Sequence, residues 1–319
     1  MKTTTCIAAV LAAATCALVA PTTCIAQQKN TANAAAKPMA QKAFPSSEDA
    51  VKALVDAVRA ADVEKLYELM GAGSKSWLSS GDRVSDAADW KRFLAAYDEK
   101  NSIVKEGDAK AVLEVGKDDW PFPAPLVKKE QGWVFDSDAG REEVLNRRVG
   151  RNELDAAQTL LAIVDAQREY AALDAARNGL AVYAMKFASS PGKKDGLYWP
   201  TKAGEPESPL GPLVASAVKS GYGGQSASAH RAYHGYYYRI LVGQGKDAPG
   251  GAFDYRVNGK LFGGFAVVAW PASYGNSGVQ TFVVNHAGVV YAKDLGPNTA
   301  AEAEKMELFN PGPGWKKMP

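Results

Sequence analysis

The sequence predicts an α+β fold. N-terminal helices are followed by a curved antiparallel sheet, and then by a long helix packed on an antiparallel meander. Three observations predict it. Apolar residues recur at helical spacing from Val51 to Tyr97. The period then changes to that of strands from Ala109 to Phe135. A second, separate succession follows, with a helical stretch from Asn152 and then strand-like runs divided by Gly-rich turns. Helices first and strands afterwards are the pattern of segregated layers rather than of alternating βαβ units.

Each element has its own signal. Ser46-Ser47-Glu48-Asp49 reads as a capping box, and Val51, Leu54, Val55 and Val58 behind it form one face. Val63 to Met70 reads as a second helix between Asp62 and Gly71, and Trp90, Phe93, Leu94 and Tyr97 as a third. Strands are expected over Ala109–Val115, Leu126–Lys129 and Gly132–Phe135, with the Pro-rich run Trp120-Pro121-Phe122-Pro123 feeding the second. Asp138 is placed as the cap of a helix near Arg141, and Asn152 as the cap of the long helix. That helix is expected to carry Leu154, Leu160, Leu161 and Val164 on one face. Ser208-Pro209 reads as an N-cap with Pro at the first helical position. Strands are expected over Tyr236–Leu241, Gly263–Trp270, Val279–Val284 and Val289–Tyr291.

The chain ahead of these elements predicts export. Lys2 is the only charged residue before Lys29, and an apolar run from Cys6 to Ala20 follows it. Small residues before Gln27 predict cleavage after Ala26, so residues 1–26 are a signal peptide and the protein is periplasmic or secreted. Lipidation at Cys24 is an alternative, although Pro21 stands where a lipoprotein signal wants an aliphatic residue. Cys6, Cys16 and Cys24 all lie in this leader, so the mature chain is expected to have neither disulfides nor a thiol nucleophile. Residues 27–42 are polar and Ala-rich and read as a disordered linker. Two units are expected beyond it, 43–150 and 151–319.

Charge argues against nucleic acid. Lys plus Arg is 37 and Asp plus Glu is 35, and losing Lys2 leaves 36 against 35, with no basic stripe. No membrane span is expected after cleavage, and no cofactor motif is present.

Four groups of residues are candidates for a site. Arg141, Arg147, Arg148 and Arg151 form the densest basic group, interleaved with Glu142, Glu143 and Glu153. Guanidinium forks suit carboxylates and phosphates, so the group reads either as an anion clamp or as an ion-pair hinge between the units, and the intermixed acids favour the hinge. Trp-Pro pairs at Trp120, Trp199 and Trp270 read as stacking platforms or as core, and strand alternation near Tyr237 favours core. Tyr274 and Asn276 sit in a Gly-rich loop where backbone can approach a ligand. His234 leads into a strand, so its spacing from His230 does not make a zinc pair.

The blocks DDWPFPAPLV (118–127), GREEVLNRRVGRNEL (140–154), DGLYWP (195–200), YHGYYYRIL (233–241) and GGFAVVAWPASYGNSGVQTFVVNHAGVVYAKDLG (263–296) resemble an uncharacterised exported bacterial family, the DUF family numbered 2950. Residues 44–136 are also similar to the cystatin-like cone of the nuclear-transport-factor-2 superfamily, and 151–296 to the globular heads of type IV pilins and pseudopilins. Pilins place an apolar helix directly behind a prepilin-peptidase site, whereas here the matching helix starts behind a whole domain. The resemblance therefore implies a non-catalytic binding or scaffold protein of the envelope, with an envelope protein or a polysaccharide as partner. The alternative it implies is a hydrolase or carbohydrate-processing enzyme that uses the cone's cavity, with Asp118, Asp119 or Asp136 as acids.

Overall fold

The computed structural model describes residues 41–222 and 232–319, and the fold is α+β. The leader, most of the linker and His230 lie outside the described residues.

The first half begins with α1 (Ser47–Arg59), whose Ser46 hydroxyl accepts from the Asp49 amide at 3.0 Å. Its apolar stripe, including Val51, Leu54 and Val58, is buried. α2 (Val63–Met70) is capped by Asp62 and ends at Gly71, whose φ of 87° most residues avoid. A short turn leads to α3 (Lys75–Leu78) and then α4 (Arg83–Glu99), capped by Asp82. The strands are β1 (Asn101–Glu106), β2 (Lys110–Val115), β3 (Trp120–Pro121), β4 (Leu126–Lys129) and β5 (Gly132–Phe135). They form one antiparallel sheet in the order β1-β2-β4-β5, with β3 also on β2. β1 has no counterpart among the strands expected from sequence. It is an edge strand with no buried residue, so it carries no core-facing alternation to detect.

Two sequence expectations are corrected near this unit's start. Gln41 and Lys42, assigned to the linker, are tied to the fold. The Gln41 amide donates to the carbonyls of Leu69 and Phe135 at 3.0 and 2.7 Å, and the Lys42 amide donates to Glu68 at 3.0 Å. Polar composition hid this because the bonds use an amide side chain and backbone rather than apolar burial.

The larger correction concerns the long helix expected to start at Asn152. One uninterrupted helix of 42 residues, α5 (Ser137–Asn178), runs through it. Its cap is Asp136, not Asp138, and Asn152 lies buried within it rather than at a start. Gly140 and Gly150 weaken a helix by about 1 kcal/mol each but do not break it, and packing at both ends outweighs that loss. Val144 and Leu145 join the core of the first half, while Leu160, Ile163 and Val164 belong to that of the second. The buried face is set by Ala156, Thr159, Leu160, Ile163, Val164, Gln167 and Tyr170, so Leu154 and Leu161 are exposed, contrary to the expected stripe.

The second half continues with α6 (Gly211–Ala217). The expected cap at Ser208 is not used: Ser208 and Pro209 form a turn, in which the Gly211 amide donates to the Ser208 carbonyl at 2.6 Å, and the helix starts after it with Pro212 in its first turn. β6 (Tyr236–Leu241) then leads through the short strands β7 (Gly243–Gln244), β8 (Phe253–Asp254), β9 (Arg256–Val257) and β10 (Lys260–Leu261). β11 (Ala266–Pro271), β12 (Gln280–Asn285) and β13 (Val290–Asp294) follow, then α7 (Thr299–Lys305), β14 (Leu308–Phe309) and β15 (Lys316–Lys317). The main sheet is antiparallel, ordered β15-β13-β12-β11-β6. β11 is buried along its whole length, consistent with a strand covered on both faces. Among the described residues no helix is long and apolar enough to cross a membrane.

Candidate functional site

α4 has the composition of a packed helix but buries none of its residues. Trp90, Phe93 and Ala96 instead face a cavity of about 690 Å³ between α4, the sheet and α5. Its floor comes from α1 and α2, through Leu54, Val58, Leu66 and Met70. Phe122 also lines it, its ring packed on that of Phe93 with 5.3 Å between centres. Trp77 and Ala124 complete the apolar wall. A cavity of this size and lining is of the kind that encloses a small organic molecule.

One end is closed by the turn between β2 and β3. The Gly116 amide donates to the carbonyls of Ala96 and Lys100 at 3.0 and 2.9 Å. Lys117 pairs with Glu99 at 2.7 Å and Lys100 with Asp119 at 2.6 Å, all substantially exposed. Asp118 lines the cavity. Asp119 is held by Lys100, and Asp136 is spent as the cap of α5, so the three acids named from the sequence are not gathered as a catalytic pair. Among the described residues no group of three or more His, Asp or Glu side chains comes together as metal ligands.

Charges of both signs also line the cavity, and here three of the four clustered arginines converge, Arg147, Arg148 and Arg151 from α5, together with Asp86, Asp89 and Arg92 of α4. Arg141 is exposed on the same helix and does not line the cavity. The Arg147 guanidinium lies 4.0 Å from the centre of the Trp120 ring and pairs with Glu143 at 2.5 Å. Arg151 donates to Asp89 of α4 at 2.8 Å, and Arg92 pairs with the same carboxylate. Asp86 accepts from the Ser79 hydroxyl at 3.0 Å and from the Ser80 amide at 3.1 Å.

Arg148 differs from its neighbours. It is 6% exposed, and Nη1 donates to the side-chain oxygen of Asn276. No carboxylate lies within 4.0 Å of it among the described residues. Burial pushes the guanidinium below its ordinary pKa; Asp86 and Asp89 oppose that shift, and Arg151 adds to it.

Asn276 fixes this arrangement from the loop between β11 and β12. Its amide nitrogen donates to the carbonyls of Ser76 and Ser79, at 3.3 and 3.0 Å, at the end of α3. Asn152 donates to the Ser277 carbonyl at 2.9 Å, and Glu153 accepts from the amides of Val279 and Gln280, both at 3.0 Å. Three adjacent stretches of the chain are thereby stapled around Arg148.

The remaining candidates lie elsewhere. Trp199 and Trp270 are 5% and 7% exposed in the second core, away from the cavity lining, and the indole nitrogens of both have no partner. Tyr274 is half-buried and donates to Asp294 at 3.2 Å. His234 is half-buried at the entry to β6, with Nδ1 3.3 Å from Asp155. Its φ of 51° is unusual for a residue other than glycine.

The sequence reading missed Asp86, Asp89, Trp77 and Phe122. Trp90 and Phe93 were seen as a helix face, but a face turned to a cavity has the same period as one turned to a core. A comparison with curated proteins finds no match, and neither does one with solved structures. Residues 41–318 match the family described as "Protein of unknown function (DUF2950)", and the chain belongs to that family.

Proposed function

We propose that the protein is exported, with cleavage after Ala26, and acts in the periplasm or outside the cell as a non-catalytic binding protein that encloses an apolar small molecule. The cavity under α4 carries this reading. Trp90 and Phe93 are half-buried, packed on the first core while also lining the cavity, and an apolar body seated there would extend their contacts. The alternative of a hydrolase draws on Asp118 alone, since Asp119 and Asp136 are engaged in other bonds. An envelope protein or polysaccharide partner would need a further surface.

Mass spectrometry of protein purified natively from its own cell envelope tests the reading. The expected result is a mature chain beginning at Gln27 with a bound apolar molecule that is released on unfolding. Ala96→Trp, which narrows the cavity beside Phe93, should fold and carry less. Recovery of an empty wild-type chain, or equal occupancy in the variant, would defeat the proposal.

A further inference from the structure

We propose that the cavity takes an amphipathic acid, with its apolar body against Trp90, Phe93 and Phe122 and its carboxylate or phosphate on Arg148. The inference rests on the binding reading above and assigns the class of ligand.

Its basis is the contrast among three arginines on one helix. Arg147 has Glu143 and the Trp120 ring, and Arg151 has Asp89. Arg148 is the most buried of the three and has only a neutral amide oxygen. Asp86 and Asp89 favour its charge from a distance, but among the described residues neither carboxylate pairs with it within 4.0 Å: Asp89 is paired with Arg92 and Arg151, and Asp86, bonded to Ser79 and Ser80, keeps its charge. A cation taken from water without a counter-ion is strongly disfavoured, and folded proteins pair such groups. Here the unused N–H groups of the fork belong to a side chain on the wall of a cavity wide enough for a ligand, where Trp90, Phe93 and Phe122 offer apolar surface and the acids Asp86 and Asp89 sit near the same arginine. An anion brought in on an apolar body supplies the missing partner, and the planar fork matches two acid oxygens at once. A neutral amphiphile would leave the cation unpaired, and a cationic one would add repulsion.

Isothermal titration of the mature chain with decanoate, decyl phosphate and decanol tests the assignment. At least one of the two acids should bind about tenfold or more tightly than decanol. Tighter binding of decyl phosphate than of decanoate marks a phosphate head, and the reverse a carboxylate; either supports the proposal. In Arg148→Met the preference for acids should vanish while decanol binding persists, which also shows that the variant is folded. Equal binding of all three by the wild type would overturn the acid assignment and leave the cavity reading standing. Binding of none would overturn both.

Discussion

The link between Arg148 and Asn276 can be tested by a double-mutant cycle. Asn276→Ala removes the one acceptor found among the described residues for a guanidinium that is 6% exposed, together with two donations to the carbonyls of Ser76 and Ser79. A hydrogen bond to a charged group contributes about 1.5–3 kcal/mol, and each partly exposed amide donation about 0.5 kcal/mol, so the expected loss is about 2–4 kcal/mol. Arg148→Met removes the buried cation and keeps an apolar side chain against the cavity wall, at about 1–2 kcal/mol for the orphaned Asn276 oxygen. The double variant has no buried cation left without an acceptor, so its loss should fall short of the sum by about 1–3 kcal/mol. Urea unfolding of the four proteins at neutral pH measures this. Additivity within about 0.5 kcal/mol would refute the claim that these two residues act as one link.

Two glycines of α5 should respond in opposite directions. A Cβ at Gly140 would stand 2.7 Å from the Cβ of Ala124, so Gly140→Ala should lose about 1–3 kcal/mol despite its better helix propensity. Gly150 has nothing within 4 Å of such a Cβ, so Gly150→Ala should gain about 0.5–1 kcal/mol; thermal melts of both variants decide. His286 has a pKa held below its ordinary 6.5, first by burial and then by Arg168, while its bond to Phe265 opposes the shift. The folded state therefore binds a proton less readily than the unfolded chain. Its contribution to stability is present above pH 6.5 and is lost as pH falls from there toward the depressed folded value. Urea midpoints compared at about pH 7.5 and about pH 5 should fall less in His286→Gln than in the wild type.

Much of the fold was legible in the sequence, because its elements announce themselves locally. Ser46 caps the helix its capping box predicts, the second helix spans Val63–Met70 between Asp62 and Gly71 as expected, and β6 spans the expected Tyr236–Leu241. What the sequence concealed is decided at long range. Asp136, Asp138 and Asn152 are all competent caps, and only packing at both ends of α5 settles that one is used. β1 pairs along its full length with β2 but buries nothing, so it leaves no pattern. The arginines were legible as a basic group, yet neither the clamp nor the hinge describes all of them. Arg147 and Arg151 are paired, Arg141 points away from the cavity, and Arg148 is fixed by a loop 128 residues on. No local spacing encodes that separation.

The most direct test of the binding account is a crystal structure of the mature chain with decanoate or decyl phosphate. The account predicts the alkyl chain against Trp90, Phe93 and Phe122, with an acid oxygen within hydrogen-bond distance of Arg148. An empty cavity at saturating ligand, or the acid group on Lys117 at the opposite end, would contradict it.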